Sequence, residues 1–227
     1  MKNKIALVIQ CGDGGVQWIK YFGHYFDKHW ECDDFIDTIF LFESIVPEIK
    51  TDKENVYTTK TGKIPWGKCV IEGLKDTDYE YIIFFHEDYF LTGPQDADKL
   101  KHLIKIMDEH KMSLLKICGD WAGWTAAPKL HIGELSDKEN IYEYSREVGY
   151  ITSHQASIWR KSFLLNSIDP NESPWAHEMA GYARAKKLGK TIHAYLGEQP
   201  IPYTETITAG KSRNEYCKKF FDIEVEE

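Results

Sequence analysis

The stretch YEYIIFFHEDYFLTGP, residues 79–94, decides how the rest of the chain is read. Tyr81 to Phe85 form an apolar and aromatic run, with Asp76, Thr77 and Asp78 before it and Gly93 and Pro94 after it. A short apolar run between turn signals predicts a strand buried on both faces, as in the middle of a parallel sheet. At the end of this strand stand three consecutive titratable residues, His86, Glu87 and Asp88. A chain that places such groups at the end of its most buried strand needs a reason to do so.

The pattern around this strand alternates. KIALVIQ (4–10) predicts a first buried strand ending at the turn CGDGG, and 16–30 a helix with aromatics at mixed helical spacing. FIDTIFLFE (35–43) and NVYTTK (55–60) predict further strands. Pro65, at a first helical turn, opens a helix with Val70, Ile71 and Leu74 on one face. A helix from Asp96 to about His110 carries Leu100, Leu103, Ile104 and Met107 at i, i+3, i+4, i+7. MSLLKICG (112–119), YITSHQASIWR (150–160) and TIHAYL (191–196) read as strands, KSFLLNSI as a short helix, and 174–189 as a longer helix stopped by Gly189. Small residues Ala180, Gly181, Ala183 and Ala185 suggest close packing of that last helix on the sheet. The expectation is one α/β domain over 1–227, a sandwich with a mainly parallel central sheet flanked by helices. Ligands of such sheets bind beyond the carboxyl ends of the strands, which is where His86, Glu87 and Asp88 fall.

Composition narrows the function. The 227 residues carry 28 basic and 36 acidic side chains, net −8, which disfavours sequence-independent binding to duplex nucleic acid. Aromatics make up 14% and include thirteen Tyr and seven Trp, suited to a large concave site and to the core. Five cysteines, Cys11, Cys32, Cys69, Cys118 and Cys217, never form a CxxC pair, so a reducing compartment is expected. No stretch has the length of a membrane span and IALVI is too short for a signal core, so the expected location is cytoplasmic.

Two clusters carry chemistry. Adjacent acids beyond a buried strand suit Mg²⁺ or Mn²⁺, which take one or two carboxylates and fill their remaining positions with water and substrate phosphates. Neighbours on an extended chain point opposite ways, so one of Glu87 and Asp88 would bind the metal and the other orient a water or a sugar. The alternative is a pair of solvated loop acids or helix caps. The second cluster is NESPWAHEMAGYARAKKLG (171–189), where Glu178 rises from an apolar surface and suits a general base. The helix dipole offers another account of Glu172 or Glu178. CGDGG lacks the glycine spacing of a Rossmann phosphate loop.

These residues, taken in order, resemble the nucleotide-sugar-dependent glycosyltransferases of the A fold (GT-A), near the family 2 type of bacterial polysaccharide biosynthesis and viruses. IALVIQCGDGG…YFDKHW is similar to their opening strand and helix, and IPWGKCVIEGLKDTDYEYIIFFHEDYFL to their helix and strand ending in an acidic metal motif. ITSHQASIWRKSFL resembles their acceptor-side strand, and His177, Glu178, Arg184 and Gly189 fall in register with the family's E-D-x-x-L-x-x-R-x-x-x-x-G helix. Three features depart from the pattern: His86-Glu87-Asp88 is no clean aspartate-x-aspartate, His177 replaces the first acid, and the Q-x-x-R-W motif of polymerising synthases is absent.

The resemblance implies an inverting transferase that moves a sugar from a nucleoside diphosphate, a UDP-sugar first, to a glycan or glycolipid hydroxyl with Mn²⁺ or Mg²⁺. It implies Glu178 as base, Asp88 and His193 as metal ligands, and Gln10, Asp13, Trp66, Lys68 and Glu87 on the donor side. Ser153, His154, Gln155, Trp175 and His177 would line the acceptor side. The donor-binding half would be about 1–95 and the acceptor half about 96–227. For His193 the alternative is a satisfied core histidine, and for Lys68 a solvated one. Two rival functions stay open: transfer to a modified base in DNA, which the acidic balance disfavours, and a binding module without catalysis.

Overall fold

The structure, a computed structural model, describes residues 4–118, 131–136, 140–144, 151–208 and 211–212. Strand β1 (Ile5–Cys11) is buried from Ala6 onward and leads through a 3₁₀ turn at Val16–Trp18 into α1 (Ile19–His29). The mixed aromatic spacing resolves there into one buried face of Ile19, Phe22, Gly23 and Phe26, a helical i, i+3, i+4, i+7 set. β2 (Asp37–Phe42) is buried throughout, while β3 (Val56–Lys60) forms a largely exposed edge. α2 (Trp66–Leu74) starts directly after Pro65, and β4 (Tyr81–His86) is buried up to its last residue. After β5 (Tyr89–Leu91) comes α3 (Ala97–Glu109), whose cap Asp96 accepts from the Lys99 main-chain N–H at 2.8 Å.

β6 (Leu114–Lys116), β7 (His131–Ser136), β8 (Ile141–Tyr144) and β9 (Ser157–Arg160) complete the middle of the chain. Then follow α4 (Lys161–Ser167), α5 (Pro174–Lys187), β10 (Ile192–Tyr195), β11 (Tyr203–Glu205), β12 (Ile207–Thr208) and β13 (Lys211–Ser212). Among the described residues, nine strands make one sheet in the order β3-β2-β1-β4-β9-β6-β10-β8-β7. β3, β2, β1 and β4 are parallel, β9 runs against both of its neighbours, and β6 and β10 are again parallel to each other. This is the mainly parallel α/β sandwich expected from the sequence.

The opening question has a topological answer. β4 leaves the large sheet at His86, and two residues later β5 pairs antiparallel with β11 in a separate two-stranded sheet. Glu87 and Asp88 are the corner between the two sheets. The corner is pinned by the Asp88 carbonyl, which accepts from Thr206 N at 2.9 Å and Thr206 Oγ1 at 3.0 Å.

The segment expected as one long strand over 150–160 differs. Only Ser157–Arg160 is strand, and Tyr150 lies outside the described residues. Upstream of β9 the polar main-chain groups pair with side chains rather than with a neighbouring strand: Ser153 O accepts from Lys116, and His154 N donates to Glu178. β7 and β8 were not expected from the sequence, nor was the short β5. Of the small residues on α5, Gly181 and Ala185 are buried, whereas Ala180 and Ala183 are exposed and Met179 is 63% exposed. The surface beside Glu178 is therefore open rather than packed. Cys11, Cys32, Cys69 and Cys118 are separate buried thiols, and Cys217 lies outside the described residues.

The loop 168–172 lies directly on the first turn of α2, where Gly67 N donates to Glu172 O at 3.1 Å and Lys68 N to Pro170 O at 2.9 Å. A Cβ on Gly67 would stand 2.0 Å from the Asp169 carbonyl oxygen and 2.9 Å from Ile168 Cγ2. Main chain cannot swing aside as a side chain can, so Gly67→Ala should cost about 1–3 kcal/mol as overpacking. For a chain of this size that lowers Tm by roughly 2–12 °C, read by thermal unfolding.

Candidate functional site

The carboxyl end of β1 is an acidic place. Burial pushes the Cys11 thiol up, and Glu87, Glu43, Asp13 and Asp88 each add to the rise, so all four carboxylates lie around this point. Asp13 closes the turn after β1 onto the loop after β2: its carboxylate accepts from Ser44 N and Ile45 N at 2.9 Å each, and from the Ser44 hydroxyl. These bonds hold Asp13 below the usual carboxylate range. In return Asp13 N donates to Glu43 Oε2 at 3.0 Å. The Glu87 carboxylate occupies the space above Gly15, where a Cβ would stand 1.7 Å from its Oε1. Burial, with Glu43 nearby, pushes Glu87 up to about 7.

Glu178 is carried by α5. Local signals set the helix: the Ser173 hydroxyl accepts from Ala176 N at 3.2 Å, Pro174 occupies the first turn, and Gly189 takes a positive φ of 63°. Gly189 N donates to Lys186 O and Lys190 N to Ala185 O, the paired bonds of a Schellman end. Arg184 NH2 reaches both oxygens of Glu172 at 2.6 Å, tying the loop before α5 to the helix. The family-like Arg184 spacing thus serves architecture, and Glu172 is committed to an ion pair with 8% of its side chain exposed. Glu178 is the fifth residue of α5, its side chain 12% exposed, and its Oε1 accepts from His154 N at 2.7 Å. Tyr89, on β5, lies within the field of both Asp88 and Glu178, so both carboxylates stand near its ring.

Behind Glu178 runs a chain of three histidines whose hydrogen-bond directions follow from one end. The Ser167 hydroxyl donates to Leu164 O at 2.8 Å, so it accepts from His177 Nε2–H at 3.1 Å. His177 Nδ1 is then an acceptor and takes the His154 Nε2–H at 2.8 Å. His154 Nδ1 in turn accepts from His86 Nε2 at 3.3 Å. That polarity requires neutral rings at His154 and His177. Burial supplies them, pushing His86 down to about 4, His177 to about 3 and His154 well below the ordinary value. Because the chain ends on a main-chain carbonyl, which takes no proton, it is a rigid support rather than a conduit. Trp66 stacks on His154 with centroids 4.9 Å apart, and its indole N–H is held by Gln10 Oε1 at 3.2 Å.

The residues assigned from the sequence therefore divide. Asp88 and Glu178 both stand near Tyr89, and Glu87 precedes Asp88 at the corner after β4. Gln10 and Trp66 are buried, 3% and 6% exposed, and connect to Glu178 through His154. Lys68 is exposed on α2, one turn before Glu72. On the acceptor side Trp175 stands 71% exposed and Gln155 is half-buried, its Oε1 accepting from Tyr203 OH at 2.6 Å. Ser153, His154 and His177 are buried and support Glu178 from behind.

His193 is sealed in β10, three strands from β4 or about 14 Å of sheet, and its Nδ1 has no hydrogen-bond partner among the described residues. It is not gathered with Asp88, and among the described residues no three His, Cys, Asp or Glu side chains converge to hold a metal by themselves. The corner acids fit a cation that takes one or two carboxylates and fills its other positions from phosphates and water. They do not fit an all-protein cage. Sequence reasoning missed Lys116, Glu43, Tyr89 and Tyr203. Lys116 alone left a signal: a lysine inside the apolar run SLLKIC, 1% exposed in β6.

No known family's sequence pattern matches the chain, and no curated protein matches it in sequence. Solved structures match it in shape. TarS 1-349 from S. aureus aligns with a TM-score of 0.54 and 15% identity, over 88% of this chain and 59% of that one. The same fragment in complex with UDP-GlcNAc aligns at 0.51 and 16%, over 88% and 57%. A CMP:2-keto-3-deoxy-manno-octonic acid synthetase complexed with CTP aligns at 0.51 and 14%, over 85% and 89%. The chain thus spans less than two thirds of the TarS fragment, and at these identities what it shares with all three is the fold: a GT-A-like α/β sandwich.

Proposed function

We propose that this protein is a glycosyltransferase that moves a sugar from a nucleoside diphosphate, a UDP-sugar first, to an acceptor hydroxyl with inversion. The observation that carries the reading is the Glu178 carboxylate, held at one oxygen by His154 N and sharing the surroundings of Tyr89 with Asp88, which follows β4. The shared fold with a TarS structure bound to UDP-GlcNAc supports the donor class. Glu178 takes the proton of the acceptor hydroxyl as that oxygen attacks the anomeric carbon. The bond to the diphosphate breaks on the opposite face, and its electron pair leaves with the phosphate.

A diphosphate brought beside Asp13, Glu43, Glu87 and Asp88 would meet like charge. Asp88, with Glu87 beside it, would hold Mn²⁺ or Mg²⁺, which when bound would supply positive charge to the leaving diphosphate. Trp175 and Gln155 offer the open surface for a glycan or glycolipid acceptor. The test is thermal unfolding with a panel of nucleotide sugars, with Mn²⁺ or with chelator, followed by product analysis. The expected result is stabilisation by a UDP-sugar only with metal, growing with concentration as binding linkage requires, and release of UDP. Stabilisation by no nucleotide sugar overturns the reading. Pyrophosphate released from a nucleoside triphosphate and a free sugar would replace it with nucleotidyl transfer.

A further inference from the structure

We infer that Lys116 is a positioning residue for Glu178, acting through the single peptide group between Ser153 and His154. The inference rests on the reading of Glu178 as base. Lys116 Nζ donates to Ser153 O at 3.0 Å and to the Ser153 hydroxyl. The N–H of that same peptide unit, His154 N, donates to Glu178 Oε1 at 2.7 Å. The described chain has no cis peptide bonds, so this C=O and N–H point in opposite directions. The amine, the peptide and the carboxylate therefore form one line of hydrogen bonds. Donation to a carbonyl polarises its amide and strengthens the N–H as a donor, by ~10–30% per bond.

The amine is otherwise out of place. Lys116 is 1% exposed in β6, between Ser157 of β9 and Ala194 of β10. Burying an amine is costly, and an apolar side chain would serve this core position without that cost. Burial lowers its pKa, while the nearby Cys118 and, less strongly, Glu178 oppose that shift. The amine's two bonds hold one end of the peptide. At the other end the His154 ring is clamped between Trp66 and the hydrogen bonds to His86 and His177. The peptide that presents its N–H to Glu178 is thus held on its carbonyl side by Lys116 and, beyond its N–H, by the packed His154 ring.

A double-mutant cycle tests this with Lys116→Met, Glu178→Gln and the double variant, reading donor affinity and transfer rate separately. Lys116→Met should leave donor Kd unchanged and lower the transfer rate ~10-fold, the rate equivalent of one hydrogen bond. Lys116→Gln, which keeps an N–H donor, should recover part of that loss. In the Glu178→Gln background Lys116→Met should cost little more, because the carboxylate it serves is gone. Equal losses in both backgrounds, or no loss in either, overturn the inference while leaving the base assignment standing. If Lys116→Met does not fold, Ser153→Ala, which removes the hydroxyl anchor of the amine, takes its place in the cycle with the same expectations. Full transfer by Glu178→Gln alone overturns the base assignment and this inference with it.

Discussion

Glu178→Gln should bind donor as well as the parent protein and transfer sugar ~10²–10⁴-fold more slowly, the usual contribution of a positioned base. The amide keeps the side-chain volume, and its oxygen still accepts the His154 N–H that holds Oε1 at 2.7 Å. What is lost is the capacity to take a proton. The rival account, an acid stabilising the start of its own helix, is weakened by the position of Glu178 as the fifth residue of α5 and by its bond to a different segment. Under that account the variant would lose a little melting temperature and keep its turnover. A near-normal transfer rate in a folded variant would remove Glu178 from the chemistry. Glu172 could not then take over without breaking its two 2.6 Å contacts with Arg184.

Asp88→Ala should abolish metal-dependent donor binding. Loss of even an outer partner of a bound metal costs ~10–100-fold in affinity, and a direct ligand should cost at least that. The fold should survive, because the contacts pinning this corner run from Thr206 to the Asp88 main-chain carbonyl, which alanine retains. Mn²⁺ titration followed by electron paramagnetic resonance, with and without UDP, reads the effect directly. Unchanged Mn²⁺ retention in the presence of UDP would move the metal away from this corner. Lost retention together with a lowered melting temperature would be ambiguous, so the variant's unfolding is measured alongside.

Much of the scaffold was legible along the chain because the signals are local. A buried strand declares itself as an apolar run, as in Tyr81–Phe85. A helix declares itself by period and by caps a few residues apart, as with Asp96 ahead of α3 and Ser173, Pro174 and Gly189 around α5. The place of Glu178 on its helix and of Glu87 and Asp88 after β4 followed from the same signals. Misreadings arose where a local pattern met a distant partner. The residues 151–155 have strand-like composition, yet their polar groups are taken by Lys116, Glu178 and Tyr203, between 24 and 48 positions away. A three-residue strand such as β5 is too short for periodicity and exists because β11 returns to pair with it.

The sequence by itself determined the alternation of strands and helices, the buried centre of the sheet, and the acids that follow β4. Those depend on which residues avoid water and on hydrogen bonds closed within a turn or two. Only the tertiary structure decided what each polar residue does there. It turned His154 and His177 from surface contacts into buried support, paired Arg184 with Glu172, sealed His193 inside β10, and set Lys116 behind the peptide that holds Glu178. Those roles are set by hydrogen-bond partners brought together from distant parts of the chain, and a buried polar group must find such a partner wherever the fold supplies one.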